Sequence, residues 1–332
     1  MDDGALKTLF LPFETDEVSV GEGNWLFLGA QVPPFDCPIP NASLHAVQGF
    51  RSTYNALIAA KANVFHSIPE GEFHGALILL TRHRGQNRAF LNRALERVKP
   101  GGTIVVSGAK TDGILSTAKE VSSLFEIQGT LSKNHAKVFW FESTGNAQFD
   151  EQQTDLIDGR YQASAGMFSS DHIDPGSAFL IEHLPKDLKG KLADFCAGWG
   201  YLSAEAALKC ANIKSIALFE ADHASLEAAK INMQHIAPDM PATFLWHDLA
   251  GEKQAQTFDT VIMNPPFHQG RAAEPSLGNA IIKTAANALH RTGRLYLVAN
   301  RSLMYEPMLK AHFFKSGEVA RNASYKVLWA EK

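Results

Sequence analysis

Phe258-Asp259-Thr260-Val261-Ile262-Met263-Asn264-Pro265-Pro266-Phe267 is the stretch that decides the fold. The apolar run Val261-Ile262-Met263 suits a buried strand, and a rigid polar-aromatic tetrapeptide follows it at once. Open α/β sheets put their ligand crevice beyond the carboxyl ends of such strands. One chemistry suits Asn-Pro-Pro-Phe there: methylation of a weakly nucleophilic amine. The lone pair of an exocyclic base nitrogen is delocalised into its ring. The side-chain oxygen of Asn264 and the backbone carbonyl of Pro265 can accept that amine's hydrogens and turn its lone pair toward a methyl donor. Phe267 can stack on a flat base. Pro-Pro is also common loop punctuation, so the surrounding sequence has to decide.

Working outward, the strand has an echo. Phe73-His74-Gly75-Ala76-Leu77-Ile78 resembles Phe258 to Met263, and three further pairs of fragments match in the same order. Ala59 to Asn63 matches Ala228 to Asn232, Gly102 to Val106 matches Gly293 to Val298, and Lys137 to Trp140 matches Lys326 to Trp329. Four weak matches in order imply a duplicated α/β domain. A chain of 332 residues fits two such domains at roughly 150 residues each. The polar stretch over 146–165 reads as a linker between a domain at 1–145 and one at 166–332. In the second half, strand patterns at 191–195, 215–220, 243–246, 258–263, 294–299 and 325–330 alternate with helical ones at 202–209, 224–234 and 279–290. This alternation predicts a doubly wound, mostly parallel, Rossmann-like sheet.

Composition narrows the function. Hydrophobic content of 45% and charged content of 20% fit an ordinary globular protein, and a net charge of −4 excludes a globally basic RNA-coating protein. Cys37, Cys196 and Cys210 form no CxxC pair or zinc spacing, and the thirteen histidines show no ligand spacing, so no metal is expected. The beginning Met1-Asp2-Asp3-Gly4 lacks a signal-peptide pattern, and no apolar run reaches the ~18 residues of a membrane span. A cytoplasmic protein with no membrane partner is the expectation.

Three more strand ends carry polar groups. Asp194-Phe195-Cys196-Ala197-Gly198-Trp199-Gly200 lies between a strand and a helix, where glycines permit a tight turn and close approach of a ligand. Glu220 ends the next strand and can accept two ribose hydroxyls. Asp248 follows a third strand and can accept an adenine amine. With Asn264 these outline one crevice. A dinucleotide site would share the first two features without needing Asn-Pro-Pro-Phe.

From Gly166 onward the chain resembles class I S-adenosylmethionine-dependent methyltransferases. Asp194 to Gly200 stands where that family has Asp-x-Gly-x-Gly-x-Gly. Gly166-Met167-Phe168-Ser169, with Gly176-Ser177, looks like the segment that closes over the cofactor in amine methyltransferases. The duplication, with Asn-Pro-Pro-Phe-His-x-Gly in the second half, resembles the ribosomal RNA small subunit methyltransferase C family. The resemblance implies two tandem methyltransferase-like domains, the first degenerate. It implies S-adenosylmethionine held by Phe168, Ser169, Asp194, Ala197, Gly198, Gly200, Glu220, Asp248 and Asn264. The implied substrate is the guanine N2 amine of a nucleotide in helix 34 of 16S rRNA, free or in the small-subunit particle, with Asn264, Pro265 and Phe267 around the amine. A monomer is expected. The family's first motif glycine is Cys196 here, and Trp199 separates the remaining two. Methylation of 23S rRNA, methylation of a protein glutamine, and non-catalytic RNA binding in assembly are the alternatives.

The first half lacks these groups. Leu79-Leu80-Thr81-Arg82 falls where the second half has Asn264 to Phe267, and Glu220 maps near Arg51. Arg82, Arg84, Arg88, Arg93, Arg97 and Lys99 lie together against one local acid, Glu96. Arg82, Arg84 and Arg88, with His268 beyond the tetrapeptide, are the expected RNA contacts, although a solvated helix face competes for Arg88 to Lys99. Covalent catalysis by Cys196 or Cys210 is disfavoured, since direct transfer to nitrogen needs no thiol.

Overall fold

The computed structural model describes residues 4–33, 36–145, 149, 156–266, 268–269, 272–273 and 275–332. The chain divides into two compact units, Met1–Gln153 and Thr154–Lys332.

The first unit has strands β1 (Trp25–Leu28), β2 (Leu44–Val47), β3 (Val64–Phe65), β4 (Phe73–Leu79), β5 (Val98–Ala109), β6 (Ile127–Lys133) and β7 (Ala136–Glu142). They lie in the order β3-β2-β1-β4-β5-β7-β6. Helices α1 (Gly4–Leu9), α2 (Leu11–Glu14), α3 (Arg51–Ala59), α4 (Arg84–Arg97) and α5 (Ile114–Ser122) accompany them. The second unit has β8 (Lys189–Phe195), β9 (Asn212–Glu220), β10 (Ala242–Trp246), β11 (Phe258–Met263), a short antiparallel pair β12 (His268–Gln269) and β13 (Ala272–Ala273), then β14 (Leu289–Asn300), β15 (Lys315–Arg321) and β16 (Tyr325–Glu331). Its helices are α6 (Pro175–His183), α7 (Tyr201–Lys209), α8 (His223–Ile236), α9 (Pro275–Ala288) and α10 (Glu306–His312). Its large sheet runs β10-β9-β8-β11-β14-β16-β15, the same order as in the first unit.

Two identical strand orders establish two Rossmann-like α/β domains. In each, five strands run parallel and the last two pair antiparallel. The central stretches of β4, β8, β9 and β11 are apolar and buried because both faces are covered. Val261 and Met263 pack into one core cluster of the second unit and Ile262 into the other, across the sheet. Ala76 and Ile78 divide from Leu77 and Leu79 in the same way in the first unit.

Two features depart from expectation. Helix α9 starts at Pro275, four residues earlier than its apolar period suggests; proline's fixed φ suits a first helical position. Part of the segment expected to be a linker also contributes to the second unit's core. Ile157, Tyr161 and Ala163 are buried in the second unit's core. The α8 residue Asn232 holds this segment as a strand would. Its side chain accepts from the Gln162 N–H at 2.7 Å and donates to the carbonyls of Gln162 and Trp199, both at 2.8 Å. The segment is polar overall, yet its few apolar side chains find core and a distant amide satisfies its backbone.

Asn232→Ala is expected to lower unfolding stability by about 1–3 kcal/mol, because it strands those backbone groups. Urea titration against the wild type measures this; a change within error would show that residues 156–165 hold without the amide.

Candidate active site

The site is built on a backbone corner. After β8, Cys196, Gly198 and Gly200 have φ of +64°, +54° and +89°. This winding sends the Ala197 N–H to the Phe219 carbonyl at 3.0 Å and the Gly198 N–H to Glu220 Oε2 at 2.8 Å. Gly200 is needed for packing as well as for φ, since an added Cβ would lie 3.1 Å from Ala229 of α8. Around Gly198 nothing lies within 4 Å of that position, so its face is open to a ligand. Cys196 adopts a left-handed conformation that costs a non-glycine residue roughly 1–2 kcal/mol. Trp199 does not crowd the turn. It is buried against Tyr161 and Tyr201, and its indole N–H donates to the Phe168 carbonyl at 2.9 Å, tethering the upstream loop.

Glu220 ends β9, where two backbone N–H groups hold its carboxylate: Gly198 on Oε2 and Asp222 on Oε1, each at 2.8 Å. Each oxygen keeps a lone pair for another donor. Burial raises its pKa, and these N–H bonds oppose the rise. Asp194 is fully buried. Its Oδ2 accepts from the Ser203 hydroxyl at 2.7 Å, and its Oδ1 is without a partner. Asp248 follows β10, and its Oδ1 accepts from the Ala250 N–H at 3.0 Å. Its neighbour His247 donates its backbone N–H to the Glu220 carbonyl, which puts these two strand ends side by side.

Asn264 follows β11. Its Nδ2 donates to Asp174 Oδ2 at 2.9 Å and to Ser177 Oγ at 2.8 Å. Its Oδ1 is buried and has no partner. One cleft is lined by Asn264, Phe168, Ser169, Cys196, Ala197, Gly198 and Trp199, together with Asp174 and Ser177 of the first turn of α6. Asp194, Gly200, Glu220 and Asp248 are not among the cleft's lining residues; Glu220 joins it through Gly198. Pro265 is buried, Phe267 lies outside the described residues, and His268 is described only as backbone of β12. Asp174 carries no catalytic signal in the sequence. The pattern Asp174-Pro175 marks a helix start, but its reach to Asn264 spans 90 residues.

The first unit makes the same corner with different chemistry. Gly29 takes φ +70° where the second unit has Cys196, and the Ala30 N–H reaches the Val47 carbonyl at 3.2 Å. Leu28 pairs with Val47 as Phe195 pairs with Phe219, so the counterpart of Glu220 is Gln48, not a residue near Arg51. Gln48 Oε1 accepts from the Phe50 N–H and its Nε2 donates to the Ala30 carbonyl, both at 2.8 Å. The loop after β4 is closed by Asn87, whose amide takes both the N–H and the carbonyl of Thr81. Of the expected RNA contacts, Arg82 and Arg84 are 54% and 69% exposed, with Asp112 at 4.0 Å and Glu120 at 3.5 Å. Arg88 is only 20% exposed and pairs with Glu120 at 2.7 Å, which draws it away from solvent.

The profile of the methyltransferase small domain family matches residues 158–329, which holds the corner, the cleft and all four strand ends. The chain belongs to this family. It is a class I S-adenosylmethionine-dependent methyltransferase, and the open face of Gly198 beside the held carboxylate of Glu220 fits that cofactor. Ribosomal RNA small subunit methyltransferase C of Shewanella halifaxensis is 28% identical, over 79% of each chain. The protein of that name from Acinetobacter baumannii is 25% identical over 83% of this chain and 85% of its own. Ribosomal RNA large subunit methyltransferase G of Klebsiella pneumoniae is 28% identical over 85% and 74%. In fold, the chain is similar to the T. thermophilus 16S rRNA N2 G1207 methyltransferase solved with AdoMet and guanosine. The TM-score is 0.79 at 24% identity, covering 99% of this chain and 92% of that one. Among the described residues, no group of three or more His, Cys, Asp or Glu could hold a metal ion, and no helix is long and apolar enough to cross a membrane.

Burial pushes the Asp194 carboxyl of this methyltransferase up to about 7; the Ser203 hydrogen bond opposes this and the Glu220 charge adds to it. The folded value lies above the ordinary 3.8, so the stability Asp194 contributes is full below that value and is lost as pH rises through about 7. Cofactor-free wild type is therefore expected to lose more thermal stability between pH 5 and 8 than Asp194→Asn does. Parallel melting curves across that range test this; identical pH profiles would place the titration elsewhere.

Proposed function

We propose that the chain methylates the N2 amine of a guanosine in 16S rRNA, at the helix 34 position implied by the family resemblance. The observation that carries this is the Asn264 amide. Both of its N–H groups point at fixed acceptors, and its oxygen is left buried and unpaired at a strand end beside the cleft. A buried acceptor without a donor is costly, and an amine hydrogen of the substrate would satisfy it. The Pro265 carbonyl takes the second hydrogen, and Phe267 stacks on the base. The base is extruded to reach them, because its amine is otherwise engaged in pairing or stacking. When bound, S-adenosylmethionine supplies an electrophilic methyl group. Glu220 would hold its ribose and Asp248 its adenine edge; Ala197, Gly198 and Gly200 form the turn that would cradle it, Asp194 at the end of β8 would support that turn, and Phe168 and Ser169 would line the cleft around it. Most of the acceleration then comes from alignment. Arg82, Arg84, Arg88 and His268 contact the RNA; Arg88 is the least exposed of the three arginines and shares Glu120 with Arg84. The first unit serves to bind RNA rather than to methylate it.

A second reading, guanine methylation in the large-subunit RNA, is favoured by the Klebsiella relative, which matches at the same identity as the first small-subunit relative. Nucleoside analysis of rRNA from a deletion strain, methylated in vitro, separates the two. N2-methylguanosine in the small-subunit RNA is expected. The same nucleoside in the large-subunit RNA supports the second reading, and any other methylated product overturns both.

Asn264→Ala is expected to slow single-turnover methyl transfer by about 100-fold or more while cofactor affinity stays within a few fold, since it removes alignment. Arg82→Ala combined with Arg84→Ala is expected to reduce the salt slope of RNA binding by up to about two phosphate contacts. Filter binding across a salt series reads this, and an unchanged slope would assign both arginines to a solvated surface.

A further inference from the structure

We propose that Asp174 and Ser177 are positioning residues that determine which atom of the Asn264 amide faces the reacting amine. This rests on the reading of Asn264 given above. An asparagine amide can sit in its pocket in two orientations related by a half-turn, one presenting oxygen and the other presenting two N–H donors. Only the first suits a substrate amine, whose own hydrogens need acceptors. The surroundings of Asn264 decide between them. An ionised carboxylate accepts hydrogen bonds and donates none. Asp174 Oδ2 therefore requires Nδ2, which lies 2.9 Å away, and Ser177 Oγ takes the other N–H at 2.8 Å. A turned amide would set its oxygen against the Asp174 carboxylate with no proton between them.

Asp174 is itself held. It is the N-cap of α6, in extended backbone conformation, and the same Oδ2 accepts from the Ser177 N–H at 2.7 Å. One oxygen thus ties the helix start to the Asn264 amide. Gly176 lets this turn pack closely: a Cβ there would lie 3.0 Å from both Asp174 Oδ2 and the Tyr325 ring. Asp174 and Ser177 line the cleft with Asn264, so the turn that closes one side of it also sets the polarity of its acceptor.

Substitutions can separate capping from positioning. Serine is a good N-cap but is too short to replace a carboxylate toward Asn264. Asparagine keeps an acceptor oxygen at the same reach. Selective 15N-asparagine labelling of the full chain, with Asn264→Ala to assign the resonance, reads the side-chain amide without any substrate. Asp174→Ser is expected to speed solvent exchange of the Asn264 amide protons by about tenfold or more, as befits the loss of one charge-assisted hydrogen bond. It should lower single-turnover methyl transfer by at least about tenfold, with cofactor affinity moved much less. Asp174→Asn should restore slow exchange and bring turnover to within about threefold of wild type. Adding Asp174→Ser to Asn264→Ala should cost nothing further, because both act through one group. Unchanged exchange in Asp174→Ser, an equal loss in Asp174→Asn, or additive losses in the double variant would each overturn the proposal. Full turnover in Asn264→Ala overturns the parent reading and this proposal together. Full turnover in Asp174→Ser with an inactive Asn264→Ala overturns this proposal alone.

Discussion

Both halves of the chain turn the same corner at the end of their first central strand, and the rest of each unit is arranged around it. The residue at the corner is left-handed, Gly29 in one half and Cys196 in the other. The next N–H then reaches the neighbouring strand's last carbonyls, through Ala30 and Ala197. That hydrogen bond fixes the distance between the turn and the next strand end. Whatever side chain stands on that strand end is brought under the turn, and its chemistry decides what the turn can hold.

The two halves answer oppositely on one backbone. Glu220 accepts from the Gly198 N–H and keeps lone pairs free, whereas Gln48 donates to the Ala30 carbonyl and seals the turn. At the fourth strand the contrast repeats. Asn264 presents an unpaired oxygen, while its counterpart Leu79 is buried in an apolar cluster and the following loop is closed by Asn87. The first unit is a sheet whose strand ends are satisfied internally; the second leaves acceptors at the same places. Burial makes such acceptors costly, as the raised pKa of Glu220 attests, and a ligand with donors offsets that cost.

Much of this was legible in the sequence because parallel strands buried on both faces read as unbroken apolar runs. The runs at β8, β9 and β11 announced their elements. The edge strand β15, Lys315 to Arg321, did not, since it is largely exposed and carries no apolar alternation. The segment at 156–165 read as linker because its partner amide, Asn232, is some seventy residues away. Arg88 read as a free cation because counting nearby acids along the chain misses Glu120 on the following helix. Asp174 was invisible for the same reason: its role is a contact with Asn264 across the fold. Glycine and proline mark local geometry in a sequence, whereas hydrogen bonds between distant segments leave no local mark.

We propose that strand-end polarity, not the shared backbone, decides which half binds the cofactor. Calorimetric titration of the intact chain with S-adenosylmethionine, repeated on Glu220→Gln, tests it most directly. One site per chain is expected in the wild type, with an affinity loss of about tenfold or more in Glu220→Gln, whose amide would copy Gln48. Two sites per chain, or unchanged affinity in that variant, would contradict it.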